Sequence, residues 1–418
     1  MSGVEGPNPE YDVRVTRYKH IILGGGMVAG YLAKEYMENG GRSGDLAIVS
    51  SDDSLPYERP PLSKGFLAGR DSETSVLISP PDFYAAHGIE VRRNSAVQSI
   101  DIGGKRLHTI SGEEWAFEKL VLATGSRVRT LGVAGASPDN VLYLRSLADS
   151  NRIRERAAGA RKAAVLGGGF IAMEVAAVLA ARGIKTTMII REDRLGKALF
   201  TSEMSVFFAT YYADRGVRIV THTGIGAIVN DSAAILSGGE RLGFDLLVAG
   251  IGVQPVTEVA SAAGLKVDNG VTVNQFLETD HPDITAAGDV ANYPDAIYGN
   301  KRRRVEHWDN AVSQGQHAAR ALLGRREAFV HVPYFFSDMF DLSYEFWGDL
   351  SEADRTVSRG DLHTNAFSVW WLAGERVVAA FAMNRPDEER ELAPELIRSK
   401  RVVTAEQVRG AASLRELA

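Results

Sequence analysis

The sequence contains no cysteine, and this absence excludes several kinds of site. Structural disulfides, thiolate metal centres and cysteine-bound iron–sulfur clusters all require cysteine, and so does a dithiol that relays electrons within a protein. Any redox chemistry of this chain would therefore pass electrons directly from a bound cofactor to an outside molecule.

Long apolar runs and an excess of positive charge are also missing. No stretch approaches the roughly 18 uninterrupted apolar residues of a membrane-spanning helix. The net charge is −6 and the pI is about 5.9, which gives no electrostatic reason to expect nucleic acid or an anionic membrane as a partner. Residues 1–17 carry no apolar run, so we predict a disordered leader and a cytoplasmic protein.

A glycine-rich turn is present twice. Residues 21–30 and 164–172 each combine an apolar, strand-like run with Gly-x-Gly-x-x-Ala and a helical pattern. The first glycine allows a tight turn, the second lets the backbone approach a pyrophosphate, and the small third residue lets helix pack on strand. Two copies predict two bound dinucleotides, each with its phosphates at a helix N-terminus. The motif positions are Gly24, Gly26 and Ala29 in the first copy, and Gly167, Gly169 and Ala172 in the second.

The segment after the first turn carries charged residues suited to a cofactor. Asp52 follows a predicted strand at residues 45–49, where an acid commonly bonds a ribose, although a solvated loop acid has the same pattern. Three prolines stiffen residues 55–64. Arg59 in this segment could pair bidentately with a pyrophosphate, and Lys64 could place a point charge beside an electron-accepting ring.

Small-residue turns follow other predicted strands. A buried strand ends in Ala123, Thr124 and Gly125, and its counterpart in the second unit ends near Gly252. Gly288 and Asp289 follow a third strand, where the carboxylate could face a cofactor or cap a helix. The scattered Ser, His and Asp residues lack the spacing of a hydrolase or a metal site.

Later segments are basic and then aromatic. The basic run at residues 301–304 is either a solvated loop or a docking site for an acidic electron-transfer protein. A helix is predicted over residues 311–323, and a hairpin over residues 367–372 and 376–383.

We predict an α/β fold with two Rossmann-like dinucleotide-binding domains and a C-terminal α+β domain. The second Gly-rich turn lies inside an insertion, so the first domain is discontinuous. The expected limits are residues 18–145 and 271–325 for the first dinucleotide-binding domain, 146–270 for the second and 326–418 for the C-terminal domain.

The chain resembles flavoprotein reductases of the glutathione reductase superfamily, in the branch without redox-active cysteines. The resemblance covers residues 18–385 and is most specific in the Pro-Tyr-Glu-Arg-Pro-Pro-Leu-Ser-Lys run at residues 56–64, with support from residues 287–289 and 305–308. That branch includes ferredoxin and rubredoxin reductases, monodehydroascorbate reductase and apoptosis-inducing factor. The resemblance implies an FAD-containing oxidoreductase fed by NADH or NADPH.

The resemblance also implies roles for residues of the first turn and its surroundings. Asp52 would bond the ribose of FAD, Arg59 would lie near the pyrophosphate, and Asp289 would hold the ribityl chain. Lys64 would lie by the flavin and pair with Glu174. An ordinary buried ion pair is the alternative for these two residues.

The second turn would hold NAD(P)H. Arg191 ends a strand where a basic residue can meet a 2′-phosphate, whereas Glu192 can bond the free 2′-hydroxyl and repel that phosphate. Glu192 aligns with an acid of monodehydroascorbate reductase and apoptosis-inducing factor, and Lys197 aligns with a lysine of the latter. We therefore expect NADH rather than NADPH.

The electron acceptor is the most open question. Trp308 and the residues after it resemble the ferredoxin-reductase type, in which a tryptophan lies beside the flavin. Residues 336–342 and 207–213 resemble monodehydroascorbate reductase, but Val312 stands where that plant enzyme has an arginine. We expect a small ferredoxin- or rubredoxin-like iron–sulfur protein as partner of a monomer or homodimer. The alternatives are a small radical or quinone as acceptor, and a redox-sensing role like that of apoptosis-inducing factor.

Overall fold

The structure is a computed structural model, and it describes residues 15–411 and 413–417 of the chain. Residues 1–14 of the predicted leader lie outside the described residues. The prediction is wrong for its last three residues, Val15–Arg17, because they already form a strand that pairs with Glu114–Ala116.

The elements of the first two-thirds of the chain form two units. Residues 15–128 contain β1 (Val15–Leu23), α1 (Met27–Glu38), β2 (Leu46–Val49), α2 (Pro81–Ala86), β3 (Glu90–Arg92), β4 (Val97–Asp101), β5 (Arg106–Thr109), β6 (Glu114–Leu122) and β7 (Ser126–Val128), with a short 3-10 helix at Pro60–Ser63. Residues 147–262 contain α3 (Leu147–Gly159), β8 (Lys162–Leu166), α4 (Phe170–Ala181), β9 (Lys185–Ile189), α5 (Ser202–Asp214), β10 (Arg218–Val220), β11 (Ile225–Val229), β12 (Ala233–Leu236), β13 (Arg241–Gly243), β14 (Leu246–Ala249), β15 (Val253–Pro255) and α6 (Glu258–Ala262).

The remaining elements return to the first unit and then build the C-terminal domain. Residues 271–322 contain β16 (Val271–Thr272), β17 (Ile284–Ala286), β18 (Ala291–Asp295), β19 (Lys301–Arg303) and α7 (Trp308–Leu322), with a 3-10 helix at Gly288–Val290. Residues 334–417 contain β20 (Tyr334–Met339), β21 (Leu342–Gly348), β22 (Arg355–Asp361), β23 (Ala366–Ala373), β24 (Arg376–Met383), α8 (Asp387–Ser399), α9 (Ala405–Gly410) and a 3-10 helix at Leu414–Leu417.

The first sheet is built around β1. Its parallel strands run in the order β3-β2-β1-β6, and the hairpin of β4 and β5 pairs with the start of β6. β17 pairs in parallel with the end of β6, with Ile284 opposite Leu120. The sheet is therefore completed by a strand that comes after the whole second unit.

The second sheet repeats the strand–turn–helix arrangement of the first. β10, β9, β8 and β14 are parallel neighbours in that order, and α4 follows β8 as α1 follows β1. β7 and β15 pair antiparallel and form the link between the two units. Two such parallel sheets, each with a Gly-rich turn, confirm the predicted fold class.

The C-terminal domain is an antiparallel sheet of order β20-β21-β24-β23-β22, covered by α8 and α9. The predicted hairpin is confirmed, since Phe367 pairs with Met383 along β23 and β24. Most of its aromatic residues are core, and Trp370 and Phe381 are fully buried. Among residues 15–411 and 413–417, no helix combines the length and the apolar composition that crossing a membrane requires.

Candidate active site

A cleft of about 630 Å³ opens at the carboxyl ends of β1, β2 and β6. Ligands of parallel α/β sheets bind at this edge because the strand-to-helix turns gather there. The predicted site residues that line this one cleft are Gly24, Gly26, Asp52, Arg59, Lys64, Ala123, Thr124, Gly125, Glu174, Asp289 and Trp308.

The first Gly-rich turn has the backbone that a dinucleotide requires. Gly24 has φ +120°, and a Cβ there would lie 2.2 Å from the carbonyl oxygen of Ala123. At Gly26 an added Cβ would meet only the Arg59 guanidinium, at 3.6 Å. The first glycine is thus required by the turn itself, whereas the second leaves the backbone open toward the cleft, which fits close approach of a pyrophosphate.

The second turn repeats this geometry on the second sheet. Gly167 has φ +127°, and a Cβ there would lie 2.3 Å from the carbonyl oxygen of Gly250 and 3.4 Å from the Cβ of Ala172. An added Cβ at Gly169 would have no neighbour within 4 Å. Ala172 is small because α4 passes close to the end of β14 at this point.

Two guanidinium groups make one wall of the cleft positive. Arg59 donates a hydrogen bond to the carbonyl oxygen of Arg145, and Arg145 pairs with Asp289 at 2.7 Å. Among the described residues, no carboxylate lies within 4 Å of the Arg59 guanidinium. Burial and then the Arg145 charge lower the pKa of Arg59. Two cations facing one carboxylate leave a net positive charge, and this fits a diphosphate. Arg145 was not predicted from the sequence.

Asp52 is a positioned carboxylate in the cleft wall. Its Oδ2 accepts a hydrogen bond from the Tyr57 hydroxyl at 2.9 Å, and its Oδ1 accepts one from the Ser54 amide at 3.1 Å. Burial raises the pKa of Tyr57 to about 12, so the phenol stays a donor near neutral pH. These contacts orient the acid after β2, so Asp52 is not a freely solvated loop acid.

Lys64 and Glu174 meet at the inner end of the cleft. Lys64 Nζ lies 2.8 Å from Glu174 Oε1, and the side chains are 13% and 3% exposed. Glu174 also accepts hydrogen bonds from the hydroxyls of Ser63 and Ser337. The Lys64 ammonium lies 5.2 Å from the centre of the Phe336 ring. The predicted pair is therefore present, and the sequence analysis missed both serines.

Trp308 is fixed at the edge of the cleft by Glu58. Its indole Nε1 donates to Glu58 Oε2 at 2.6 Å, and the Tyr31 hydroxyl donates to the other oxygen of the same carboxylate. Trp308 is the first residue of α7, which therefore starts three residues before the predicted Ala311. His307, the residue before it, also lines the cleft, and burial lowers its pKa to about 4.

Some predicted residues lie outside this cleft. Ala29 and Gly288 pack behind it, where a Cβ on Gly288 would meet Val28 at 2.6 Å. The predicted residues on the second sheet lie around its own turn, and they are Gly167, Gly169, Ala172, Arg191, Glu192, Lys197 and Gly252.

The residues expected to select the dinucleotide lie just after β9. Arg191, Glu192 and Lys197 are all exposed, and Lys197 pairs with Asp193 at 3.0 Å. Gly252 connects β14 to β15 and has φ +95°.

The basic run at residues 301–304 is partly exposed, with Lys301 and Arg302 exposed and Arg303 and Arg304 half-buried. Arg302 donates to the carbonyl oxygens of Val273 and Asn292, and Arg303 pairs with Asp295 and Asp349. The Arg304 side chain is likewise paired, with Glu306. Because Lys301–Arg303 form β19, the run is not a loop, and the docking of an acidic partner stays a prediction.

Comparison with known proteins identifies the family to which this architecture belongs. The model of the pyridine nucleotide-disulphide oxidoreductase family matches residues 18–315. The chain belongs to this family. A second model, the reductase C-terminal domain, matches residues 334–418. Because the chain has no cysteine, this family member lacks the disulphide of the family name.

The chain is similar over nearly its full length to reductases of two kinds. It is 34% identical to monodehydroascorbate reductase of Pisum sativum, over 91% of this chain and 94% of the pea enzyme. Among solved structures it is similar to a ferredoxin reductase from Rhodopseudomonas palustris, with a TM-score of 0.90 and 31% identity over 96% and 99% of the two chains. It is also similar to a covalent putidaredoxin reductase–putidaredoxin complex, with a TM-score of 0.87 and 32% identity over 92% and 94%.

Family membership confirms the predicted class and cofactors. The protein is an oxidoreductase of the FAD-dependent, NAD(P)H-using kind. Each of the two parallel sheets carries one Gly-rich turn at the start of a helix.

Proposed function

We propose that the cleft holds FAD and that the predicted residues bind it as the resemblance implies. The Gly24–Gly26 backbone and Arg59 would hold the pyrophosphate, Asp52 the ribose and Asp289 the ribityl chain. The positive wall of Arg59 and Arg145 supports this orientation, because a diphosphate balances the charge that Asp289 alone does not. The turn of Ala123, Thr124 and Gly125 would carry the rest of the cofactor along its backbone.

NAD(P)H would bind at the second turn, with Gly167, Gly169 and Ala172 under its pyrophosphate and Gly252 near its nicotinamide half. The open backbone at Gly169 and the helix N-terminus of α4 support this placement. We expect NADH to be preferred, because Glu192 is exposed at the strand end while Lys197 is already paired with Asp193.

FAD supplies the chemistry, since a bound flavin takes a hydride from NAD(P)H and can release electrons singly. The chain's own residues prepare the site for this transfer. Lys64 places a positive charge where negative charge develops, and Glu174 fixes the position of Lys64. Phe170 and Phe335, with ring centres 4.5 Å apart, line the same end of the cleft and exclude water from it.

The proposed acceptor is a small ferredoxin- or rubredoxin-like iron–sulfur protein. The observation that carries this proposal is the tryptophan at the cleft edge, because Glu58 fixes the indole of Trp308 beside the Phe336 ring, 6.1 Å away between ring centres. The similarity to a ferredoxin reductase and to the putidaredoxin reductase complex supports the same acceptor class. Val312, one turn further along α7, places no cation there for a small anionic substrate.

A monodehydroascorbate-reductase-like activity on a small radical or quinone is the second candidate. It is favoured by the 34% identity to the pea enzyme over nearly the whole chain. The cytoplasmic location and the monomeric or dimeric state predicted from the sequence stay predictions.

An acceptor screen separates these functions. The protein is reduced anaerobically with NADH, acceptors are added one at a time, and reoxidation is followed by flavin absorbance. We expect ferredoxins or rubredoxins to reoxidise the flavin faster than ascorbate radical or quinones. Fast reoxidation by ascorbate radical alone would contradict the proposal and support the second candidate.

A further inference from the structure

The carboxylate of Glu174 lies where three parts of the chain meet. Its helix, α4, belongs to the second unit, and its three donors come from elsewhere. Lys64 and Ser63 lie in the proline-rich segment of the first unit, and Ser337 lies on β20 of the C-terminal domain. Oε1 is contacted by Lys64 and Ser337, and Oε2 by Ser63, so both oxygens have hydrogen-bond donors.

Because Glu174 is buried, its charge depends on these hydrogen-bond donors for stabilisation. Glu174 is 3% exposed and Ser337 is 0% exposed, so little water reaches the carboxylate. A buried charge is costly unless hydrogen bonds replace its lost water. The two hydroxyls supply those bonds, and together with Lys64 they determine where the carboxylate can lie.

Two consecutive residues of β20 contact both members of the ion pair. Alternate side chains of a strand point to opposite faces, and each of these two residues reaches a different member of the pair. The Phe336 ring lies 5.2 Å from the Lys64 ammonium, whereas the Ser337 hydroxyl donates to Glu174. One strand of the C-terminal domain thus fixes the cation from one side and the carboxylate from the other.

Ser337 does not belong to the cleft wall, although Ser63, Lys64, Glu174 and Phe336 do. The hydroxyl of Ser337 reaches the cleft through its hydrogen bond to Glu174. The contact is also long-range, since 163 positions separate the two residues in the sequence. An aromatic contact between Phe170 of α4 and Phe335 of β20 keeps the two elements in register at this point.

We infer that Ser337 is a positioning residue through which the C-terminal domain sets the place of the Lys64 charge in the cleft. This inference rests on the proposed function of Lys64. Ser337 holds Glu174, Glu174 holds Lys64, and the ammonium then stabilises negative charge on the bound cofactor as it is reduced. The C-terminal domain accordingly tunes the reduction step.

The chain offers a closely matched control. Ser368 is also fully buried in the C-terminal sheet and donates to a buried glutamate, Glu389, at 2.6 Å. Glu389 is paired with Arg359 and Arg385, in the same way that Glu174 is paired with Lys64. Ser368 and its partners lie away from the cleft wall. Ser337→Ala and Ser368→Ala therefore both remove a serine–glutamate hydrogen bond, near the cofactor and away from it, and Ser368→Ala also removes the bond that Ser368 accepts from the Trp370 indole.

The test uses the FAD-containing protein. Anaerobic stopped-flow reduction by NADH gives the limiting rate and the NADH dissociation constant, and dye equilibration gives the flavin midpoint potential. Ser337→Ala removes a hydrogen bond to the charged Glu174, so Lys64 is held less firmly beside the cofactor. We therefore expect the limiting rate to fall about tenfold and the flavin midpoint potential to become more negative. NADH affinity should change by less than about twofold, since the NADH site is untouched. Ser368→Ala should lower only the thermal unfolding temperature.

Three comparisons make the result decisive. In a Glu174→Gln background, adding Ser337→Ala should lower the limiting rate by less than about twofold, because the effects of residues that act through one another are not additive. A wild-type limiting rate and potential in Ser337→Ala would overturn the inference. If Ser337→Ala does not fold, Ser337→Thr and Ser337→Val form an isosteric pair with and without the hydroxyl. Equal rates and potentials in that pair would overturn the inference as well.

The same measurements separate this inference from the proposed function. Failure of NADH to reduce the flavin of the wild-type protein would contradict the function itself. Normal reduction of the wild type with no effect of the Ser337 variants would contradict only the positioning role.

Discussion

Single charged residues give the cleft two distinct ends. Arg59 and Arg145 make the end near the first Gly-rich turn positive, with Asp289 as their one ion-pair partner. At the other end, Lys64 is nearly buried and its charge is balanced by Glu174. A dinucleotide flavin has a doubly charged diphosphate and an electron-accepting ring in this same order, so the charges match the two halves of the cofactor.

Replacing Lys64 should slow hydride transfer without removing FAD. Lys64→Ala removes a cation from a buried position near the developing charge, and we expect the anaerobic reduction rate to fall about 100-fold. Lys301→Ala is the control, because Lys301 is an exposed lysine whose Nζ donates a hydrogen bond to Ser351 on the surface. Stopped-flow absorbance measures both, and an unchanged rate in Lys64→Ala would reject the proposed role.

The charges at the end of β9 should determine the nucleotide preference. We expect a higher kcat/KM for NADH than for NADPH. Glu192→Gln should raise kcat/KM for NADPH about fivefold and Arg191→Gln should lower it by a similar factor, since an exposed charge pair at about 4 Å is worth about 1 kcal/mol. Steady-state assays with both nucleotides check this, and a preference that neither variant changes would assign selectivity elsewhere.

The residues themselves predict roles that are local, whereas the long-range pair of Lys64 and Glu174 was predicted only through the family resemblance. Gly24 and Gly167 are predictable because a turn needs their backbone, and Arg59 because prolines stiffen its segment. Ser337 could not be found, because its partner Glu174 is 163 residues away and a single serine in a strand gives no signal. Glu58 was missed for the same reason, since it joins Tyr31 to Trp308, and the latter is 250 positions away.

The two glycines of the first Gly-rich turn meet different requirements, one of the backbone and one of the binding site. Gly24 is needed so that the chain can leave β1 past the carbonyl of Ala123, whether or not a cofactor is present. The fold would accept a side chain at position 26, but that side chain would project into the cleft. Substituting each in turn therefore tests the backbone and the binding site independently.

Gly24→Ala should destabilise the protein, and Gly26→Ala should only weaken FAD binding. A methyl group at Gly24 combines a positive φ with a clash against backbone, so we expect a loss of about 2 kcal/mol or more in the free energy of unfolding. At Gly26 the methyl would occupy the approach of the pyrophosphate. The FAD-to-protein absorbance ratio after gel filtration and the unfolding temperature of the FAD-free protein measure the two effects. Full FAD retention in Gly26→Ala would contradict its assignment.

Element boundaries were predicted best where the hydrophobic pattern ends sharply. The predicted hairpin in the C-terminal sheet matches β23 and β24 because alternation stops at a Gly-containing turn. α7 begins three residues earlier than predicted, at Trp308. The indole of Trp308 has an apolar ring and a polar N–H, and this N–H donates a hydrogen bond to Glu58, which the sequence pattern does not indicate. β7 and β15 were not predicted as a pair, because each has three residues and their pairing joins two separate units.

The stability of the whole molecule depends on pH through the buried His20. His20 lies on β1, is 2% exposed and packs edge-on against Tyr36. Burial, followed by the Lys19 charge, lowers the pKa of His20 to about 4, while Asp45 opposes this shift. The unfolded chain takes up a proton near pH 6.5 that the folded chain refuses until about pH 4. The stability is therefore complete above pH 6.5 and declines as the pH falls toward 4.

His20→Leu should make the protein less sensitive to acid. Between pH 7 and pH 5 the wild type should lose about 2 kcal/mol through this residue, because each pKa unit corresponds to about 1.4 kcal/mol. The variant should not show that part of the loss. Urea unfolding at both pH values, followed by tryptophan fluorescence, gives the difference. His363→Gln, at an exposed site, is the control, and an equal pH effect in His20→Leu and the wild type would show that His20 is not responsible.

The late arrival of β17 has a consequence for how this protein is made. A ribosome releases the chain from its N-terminus, so the whole second sheet, which ends with β14 at Ala249, emerges before Ile284 does. Until then the apolar edge of β6 at residues 120–122 has no neighbour on that side, and unpaired strand edges are prone to aggregation. During synthesis the inserted domain can fold first, while the domain that begins the chain must wait for a strand made more than 160 residues after β6.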